Sequence, residues 1–475
     1  MINRTFLTNT LYNVMYRVVN TVYPFVTSIY VSNILQADGV GQVSSAQNIV
    51  AYFTMAAALG IPNYGIREVA KNSNEERNNT FWELFSINFV STTMCVFLYY
   101  TLVNNVYFFE KNIILYNVVG LSVISNYFNV DWFYYGCEKY KAITLKNMIV
   151  KVVCLTLMFV FVKAKQDGIV YALIVCLSTM GNNLLNILGL PKYGIKMPLG
   201  KLKIRHHISP ILVLLATTVS IELYTLLDTT LLTFLTREEN VGYFSNASKL
   251  IKIVITLLVA VSGALLPRLT SLYSSGQRKE CEKLINKVTE TLVVLMVPSS
   301  VGLYLLSPTL IPLLFGQSFE DAVITVRILI ALMYSLTFSN LFGTQILLIV
   351  SQERKLLYAT FAGAAVNIAI NLLLIPIFQH NGSAIASVLS EFVVTGITYY
   401  FARKYFAIKV RRRTVVTVVA AVVIMSMAVE LICTSIGNEL VMILLSVVVS
   451  VIIYFFILIV LKCPLLMDFY SKIKK

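Results

Sequence analysis

The chain has 475 residues, of which 57% are apolar and only 13% charged, with a net charge of +15 and a mean hydropathy of +0.77. A water-soluble domain is about half apolar and about one quarter charged, so this composition excludes one and points to an integral membrane protein. The basic residues fall between hydrophobic runs rather than on one polar face, which argues for membrane topology and against nucleic-acid binding.

Taken in chain order, apolar windows long enough to span about 30 Å of hydrocarbon as helices begin at 10–34, a retained first helix with no small-x-small cleavage site, and 40–62. They continue at 81–103, 112–135, 142–162 and 168–190, and then, after the basic stretch KYGIKMPLGKLKIR (192–205), at 209–235, 241–267, 288–314, 322–350, 356–378 and 383–402. A second basic stretch, RKYFAIKVRRR (403–413), precedes a final pair at 414–434 and 438–461. The fold class expected is therefore an all-α integral membrane protein of about fourteen transmembrane helices. With the N-terminus in the cytoplasm, about 27 Lys and Arg lie in cytoplasmic segments, against about 4 in the outer loops, Lys111, Lys163, Lys165 and Arg237. Both termini are expected in the cytoplasm.

VGQVSSA at 40–46 matches VGYFSNA at 241–247, pairing Gly41 with Gly242 and Ser44 with Ser245, and the same offset pairs Arg67 with Arg268. Six helices separate the copies, an even number, so the repeat is parallel and its axis runs along the membrane normal. The domains expected are a six-helix bundle over 1–200, a second over 201–408, and a helix pair with a basic tail over 409–475, the two bundles enclosing a central cavity.

Charge inside such helices is costly unless it faces water, a counter-charge or a ligand. Arg17, Lys151, Lys249, Lys252 and Arg327 are the deep cations, and Glu222, Asp228 and Glu391 the deep anions. The excess of cations suits phosphate oxygens, which ammonium and guanidinium groups bind well. Pairing of each cation with a bundle carboxylate is the alternative. The three carboxylates are candidates for proton coupling or for ion pairing. Asp131, Lys146, Arg268 and Glu83 lie near expected cytoplasmic ends, and Glu430 near an outer end, where snorkelling accounts for them. The seven cysteines show no CxxC spacing and read as small core residues, and no cofactor or metal site is indicated. HExxH, GxSxG and Gly-rich phosphate loops are absent, so an enzyme is not expected.

Several stretches in order resemble the polysaccharide flippase family (Wzx-type), within the multidrug/oligosaccharidyl-lipid/polysaccharide exporter superfamily. They are YNVMYRVVNTVYPFVTSIYVSNILQADGVGQVSSAQNIVAYF (12–53), AALGIPNYGIREVAK (57–71), DWFYYGCEKYKAITLKN (131–147), VGYFSNASKLIK (241–252), LLPRL (265–269), FGQSFEDA (315–322), GAAVNIAINLLLIP (363–376) and GSAIASVLSE (382–391). The resemblance implies alternating access between two bundles around a cationic cavity, and a substrate made of an oligosaccharide on undecaprenyl pyrophosphate. Membrane lipids and polysaccharide assembly proteins are the partners it implies. Where the family often has an SRxLG-like pattern, this chain has Ser32, Asn33, Ile34, Leu35 and Gln36. A lipid II flippase, a multidrug cation antiporter and, from another class, a membrane glycosyltransferase or polymerase are the alternatives.

Overall fold

The computed structural model describes residues 4–72, 74–197, 202–263 and 265–473. Every regular element among them is helical. The first, α1 (Arg4–Ala58), carries a non-helical residue, Gln36 with φ 61°, at which the chain turns back. It is followed by α2 (Ile61–Lys71), α3 (Asn74–Asn105), α4 (Ile113–Val119), α5 (Leu121–Ser125), α6 (Asp131–Gly136), α7 (Tyr140–Phe161), α8 (Gly168–Leu188) and α9 (Arg205–Leu235). After these come α10 (Glu238–Gly263), α11 (Leu266–Ser274), α12 (Arg278–Phe315), α13 (Ala322–Ser339), a π-helical stretch at Asn340–Leu347, and α14 (Glu353–Ala402), which turns back at Gln379. The chain closes with α15 (Arg412–Ser435), α16 (Glu439–Val460) and α17 (Pro464–Ile473).

Eleven of the described stretches are long and apolar enough to cross a membrane. Two of them contain the turns at Gln36 and Gln379 and so carry two spans each, and with α9 the count reaches the fourteen expected. Two compact units divide the chain within α10, at Gly242 and Tyr243. The helix α9, which the sequence division places after its boundary at residue 200, packs on α1 and α2 within the first unit.

In the first unit the core is aromatic at the end carrying α2. Tyr64, Phe81, Trp132, Phe133 and Tyr134 are buried together with Ile61, Val69 and Ile143. Two glycines let α2 and α6 close on each other: a Cβ at Gly65 would lie 2.5 Å from the Trp132 ring, and one at Gly136 would lie 2.7 Å from Val69. At the opposite end, where α1 turns back, Gly41 and Gly242 bring α1 and α10 together. A Cβ on Gly41 would fall 1.7 Å from the carbonyl oxygen of Glu238, and one on Gly242 would fall 2.2 Å from that of Ala37. These four residues form two pairs at the spacing of the sequence repeat, so the contact is reciprocal, as contacts about a two-fold axis are.

In the second unit α15 and α16 pack on α12 through Val294, Val418, Met425, Tyr454 and Leu458. Pro298 lies inside α12 and has no N–H, which deprives the Val294 carbonyl of its helical donor. The Tyr454 hydroxyl donates to that carbonyl at 2.6 Å. Pro308 frees the Tyr304 carbonyl in the same way, and the Ser307 hydroxyl donates to it at 2.9 Å. In hydrocarbon an unpaired carbonyl costs several kcal/mol, which these two donors avert.

Irregular segments are held by side-chain ladders on neighbouring helices. Glu282, Asn286 and Glu290, one helical turn apart on α12, accept the backbone N–H groups of Ala407, Lys409 and Arg411 at 3.2, 2.8 and 2.8 Å. Four helical residues rise about 6.0 Å and two extended residues about 6.7 Å, so the spacings match. The Arg411 guanidinium also grips Glu290 through three hydrogen bonds of 2.6 to 3.0 Å and pairs with Asp468 at 2.9 Å. Its hydrogen bonds to Glu290, and the nearby Asp468, push its pKa above the usual arginine value. In the first unit Asn78 accepts from Lys196 N at 2.8 Å and Trp82 donates to Lys196 O at 2.6 Å.

Replacing Tyr454 by Phe is expected to lower stability by about 1 to 3 kcal/mol, the cost of a buried unpaired carbonyl. The measurement is the thermal midpoint of the purified protein. In a Pro298→Ala background, where residue 298 again donates to Val294, the same change should cost well under half as much.

Candidate functional site

Three of the deep cations, Lys151, Lys249 and Arg327, have neutral hydrogen-bond partners. In the first unit Lys151, on α7, donates to Asn20 Oδ1 at 2.6 Å and lies 4.8 Å from the Tyr23 ring centroid. In the second unit Lys249, half-buried on α10, has Asn246 Oδ1 at 3.4 Å. Lys252, three residues on, is exposed. On α13 Arg327 donates from Nε to the Ser307 hydroxyl at 3.1 Å, and its guanidinium carbon lies 4.6 Å from the Tyr304 ring centroid. Arg327 therefore rests on the groups that attend the Pro308 break in α12. Among the described residues no carboxylate oxygen lies within ion-pairing distance of Lys151, Lys249 or Arg327. Each of the three is half-buried, with an amide or a hydroxyl as its hydrogen-bond partner.

Asp228 is buried on α9, and two residues on, Thr230 is bonded by Asn48 and Tyr52 at 2.7 Å each. Glu391 is buried on α14 among Asn367, Asn371, Ser387 and Ser390, all buried. The side chains of Arg17 and Glu222 lie outside the described residues.

Two groups that sequence reasoning assigns to snorkelling are instead tied inward. Asp131, at the start of α6, accepts from the Tyr16 hydroxyl at 3.1 Å and from Asn186 Nδ2 at 2.8 Å. Tyr16, Asn20 and Tyr23 follow at i, i+4 and i+7 on α1, so one face of that helix meets both Asp131 and Lys151. That spacing was visible in the sequence, although polar aromatics on a membrane helix do not by themselves indicate what they face. Glu83 is buried, accepts from Lys203 N at 2.6 Å and lies 2.9 Å from His207 Nε2, whose Nδ1 is 2.8 Å from the Tyr64 hydroxyl. This network fixes the start of α9 to α2 and α3. Lys146 donates to the Tyr134 hydroxyl at 3.1 Å. Arg268 and Glu430 are exposed, in keeping with snorkelling.

Residues 6–273 match the polysaccharide biosynthesis protein family. The chain belongs to that family. A protein of Escherichia coli (strain K12) named as an O-antigen transporter is 22% identical over 402 residues, covering 82% of this chain and 96% of that one. The lipid II flippase MurJ of Bacillus subtilis (strain 168) is 26% identical over 195 residues, 39% of this chain and 35% of that protein. Among solved structures, a lipid II flippase MurJ in an inward closed conformation matches with a TM-score of 0.75 at 14% identity, over 98% of this chain and all of that one. An inward-facing MATE multidrug resistance transporter matches at 0.63 and 13%, over 83% and 97%. At such identities the structural likeness is one of fold. The all-helical, multi-pass membrane architecture and the family resemblance read from the ordered motifs are thereby borne out.

Asp131→Leu is expected to leave Tyr16 and Asn186 without their acceptor and to cost about 1 to 3 kcal/mol. Asp131→Asn, in which the amide oxygen faces Asn186 and the amide nitrogen faces a rotated Tyr16 hydroxyl, should cost less than half of that. Thermal midpoints of the two purified variants decide it.

Proposed function

We propose that the protein is a flippase that moves an oligosaccharide linked to undecaprenyl pyrophosphate from the cytoplasmic to the outer leaflet for polysaccharide assembly. The observation that carries this reading is the set of deep cations, Lys151, Lys249 and Arg327, whose hydrogen-bond partners are neutral. A cation already neutralised by a carboxylate would gain little from a pyrophosphate, whereas these gain a full charge-assisted interaction. Family membership and the relatives named for O-antigen transport and lipid II flipping support the same substrate class. Lys252 and Arg17 are the further cations proposed to meet the anionic substrate.

The excess of Lys and Arg supports an orientation with both termini in the cytoplasm and with α2 and the segments at 192–205 and 403–413 on that side. The turns at Gln36 and Gln379 then lie at the outer face. Transport proceeds by alternating access: the headgroup enters from the cytoplasm, the polyprenyl tail stays in lipid, and the outer end then opens. Asp228, Glu391 and Glu222 are the proposed coupling or ion-pairing carboxylates. A multidrug cation antiporter would need an anionic site, which the deep cations disfavour, and no catalytic step is assigned.

The test is translocation of a pyrophosphate-linked oligosaccharide lipid in sealed proteoliposomes. Lys249→Ala with Lys252→Ala is expected to slow it by about tenfold or more, since a hydrogen bond to a charged group is worth about 1.5 to 3 kcal/mol. Translocation unchanged in a folded double variant would reduce these lysines to structural groups. No translocation by the wild type would overturn the flippase reading, and new glycosidic bonds in the product would point to a transferase.

A further inference from the structure

A cavity of about 760 Å³ opens at the turn end of the first unit, and none of the deep cations assigned above is among its lining residues. Its size falls within the range of ligand pockets, about 300 to 1,000 Å³. It lies between the second half of α1, the 3₁₀ turn at Tyr107–Asn112 and the facing ends of α9 and α10.

Aromatic and hydrogen-bonding groups share the lining. Tyr107 is 84% exposed. Beside it the Phe108 ring packs on Phe234 with centroids 4.7 Å apart. Gln42 and Asn112 supply planar amides, and Ser45 and Thr233, bonded to each other at 3.1 Å, supply hydroxyls. The one cation in the wall, Lys111, is paired with Glu238 at 2.9 Å, and Glu110 adds another carboxylate. The wall therefore carries no surplus positive charge and is unsuited to a pyrophosphate.

A sugar ring matches this chemistry from both sides. Its C–H face packs on an aromatic ring, and its hydroxyls donate to carboxylates and exchange hydrogen bonds with amides and hydroxyls, which both give and accept. A lipid tail would leave those polar groups unpaired, at a cost. We infer that this cavity is a sugar-binding subsite at the outer face, which holds the oligosaccharide headgroup after translocation. The inference rests on the proposed orientation and substrate class. In it the pyrophosphate and the sugars are held at separate places, the first by the deep cations and the second by Tyr107, Gln42 and their neighbours. The paired Lys111 and Glu238 fix the 3₁₀ turn to the start of α10, so the subsite is built only while these two elements remain together.

The probe is the oligosaccharide released by mild acid from the polyprenyl pyrophosphate fraction of the source cells, titrated calorimetrically against the purified full chain. Binding is expected, weakened about tenfold or more by Tyr107→Ala with Gln42→Ala and unaltered by Lys249→Ala with Lys252→Ala. Tyr107 is so exposed that its removal should leave folding intact, which the thermal midpoint verifies. Binding unaltered by the Tyr107 and Gln42 changes, or absent altogether, overturns the inference and leaves Tyr107 as an interfacial anchor. Proteoliposome translocation separates the two readings. Wild type that translocates but does not bind the free oligosaccharide loses only the subsite, and wild type that binds but does not translocate keeps the subsite and loses the flippase.

Discussion

A backbone carbonyl or amide inside hydrocarbon must have a partner within the protein, and most of this structure follows from that requirement. Helices meet it by themselves until a proline interrupts them. At Pro298 the freed carbonyl of Val294 is answered by Tyr454 from another helix, so the kink and the docking of the final helix pair are one feature. At Pro308 the answer is local, from Ser307, and the same hydroxyl then receives Arg327. A break in one helix thus positions a cation on the next.

The same requirement governs the irregular segments at the helix ends. The stretch 407–411 is bonded by a ladder of Glu282, Asn286 and Glu290 on α12, and residues 196 and 203 are bonded by Asn78, Trp82 and Glu83 on α3. In both units a basic segment is laid along a helix by backbone hydrogen bonds, and in the second Glu290 also pairs with the Arg411 charge. Carboxylates such as Glu83 and Glu290 are used up in this way, which helps to explain why the cations deeper in the helices are left with amides and hydroxyls.

In the function proposed, the deep cations and the turn-end cavity would divide the chemistry of a lipid-linked sugar between them. Lys151, Lys249 and Arg327 offer charge with little shape, which suits phosphate oxygens. Around Tyr107 there is shape and hydrogen bonding with the charge cancelled, which suits sugar rings. At Gly41 and Gly242 the backbones of α1 and α10 meet with no side chain between them, and the Lys111–Glu238 pair ties the same end of α10 to the 3₁₀ turn.

From sequence alone, the helical membrane architecture, the approximate number of spans and the family were legible, because hydropathy records how much of each segment must leave water and the family motifs kept their order, whereas helix ends such as the start of α12 at Arg278 and the breaks between Ile113 and Gly136 were not. The deep charges were legible for the same reason, as departures from hydropathy. Their partners were not. Asp131 and Lys146 both sit near a helix end, yet Asp131 turns inward to Tyr16 and Asn186 while Lys146 lies on Tyr134. Glu83 looked like an interfacial carboxylate until α9 brought His207 to it. Which helix neighbours which is settled by glycine notches such as Gly65 and Gly136 and by proline-freed carbonyls. These depend on contacts between residues far apart in the chain, and local hydropathy carries no record of them.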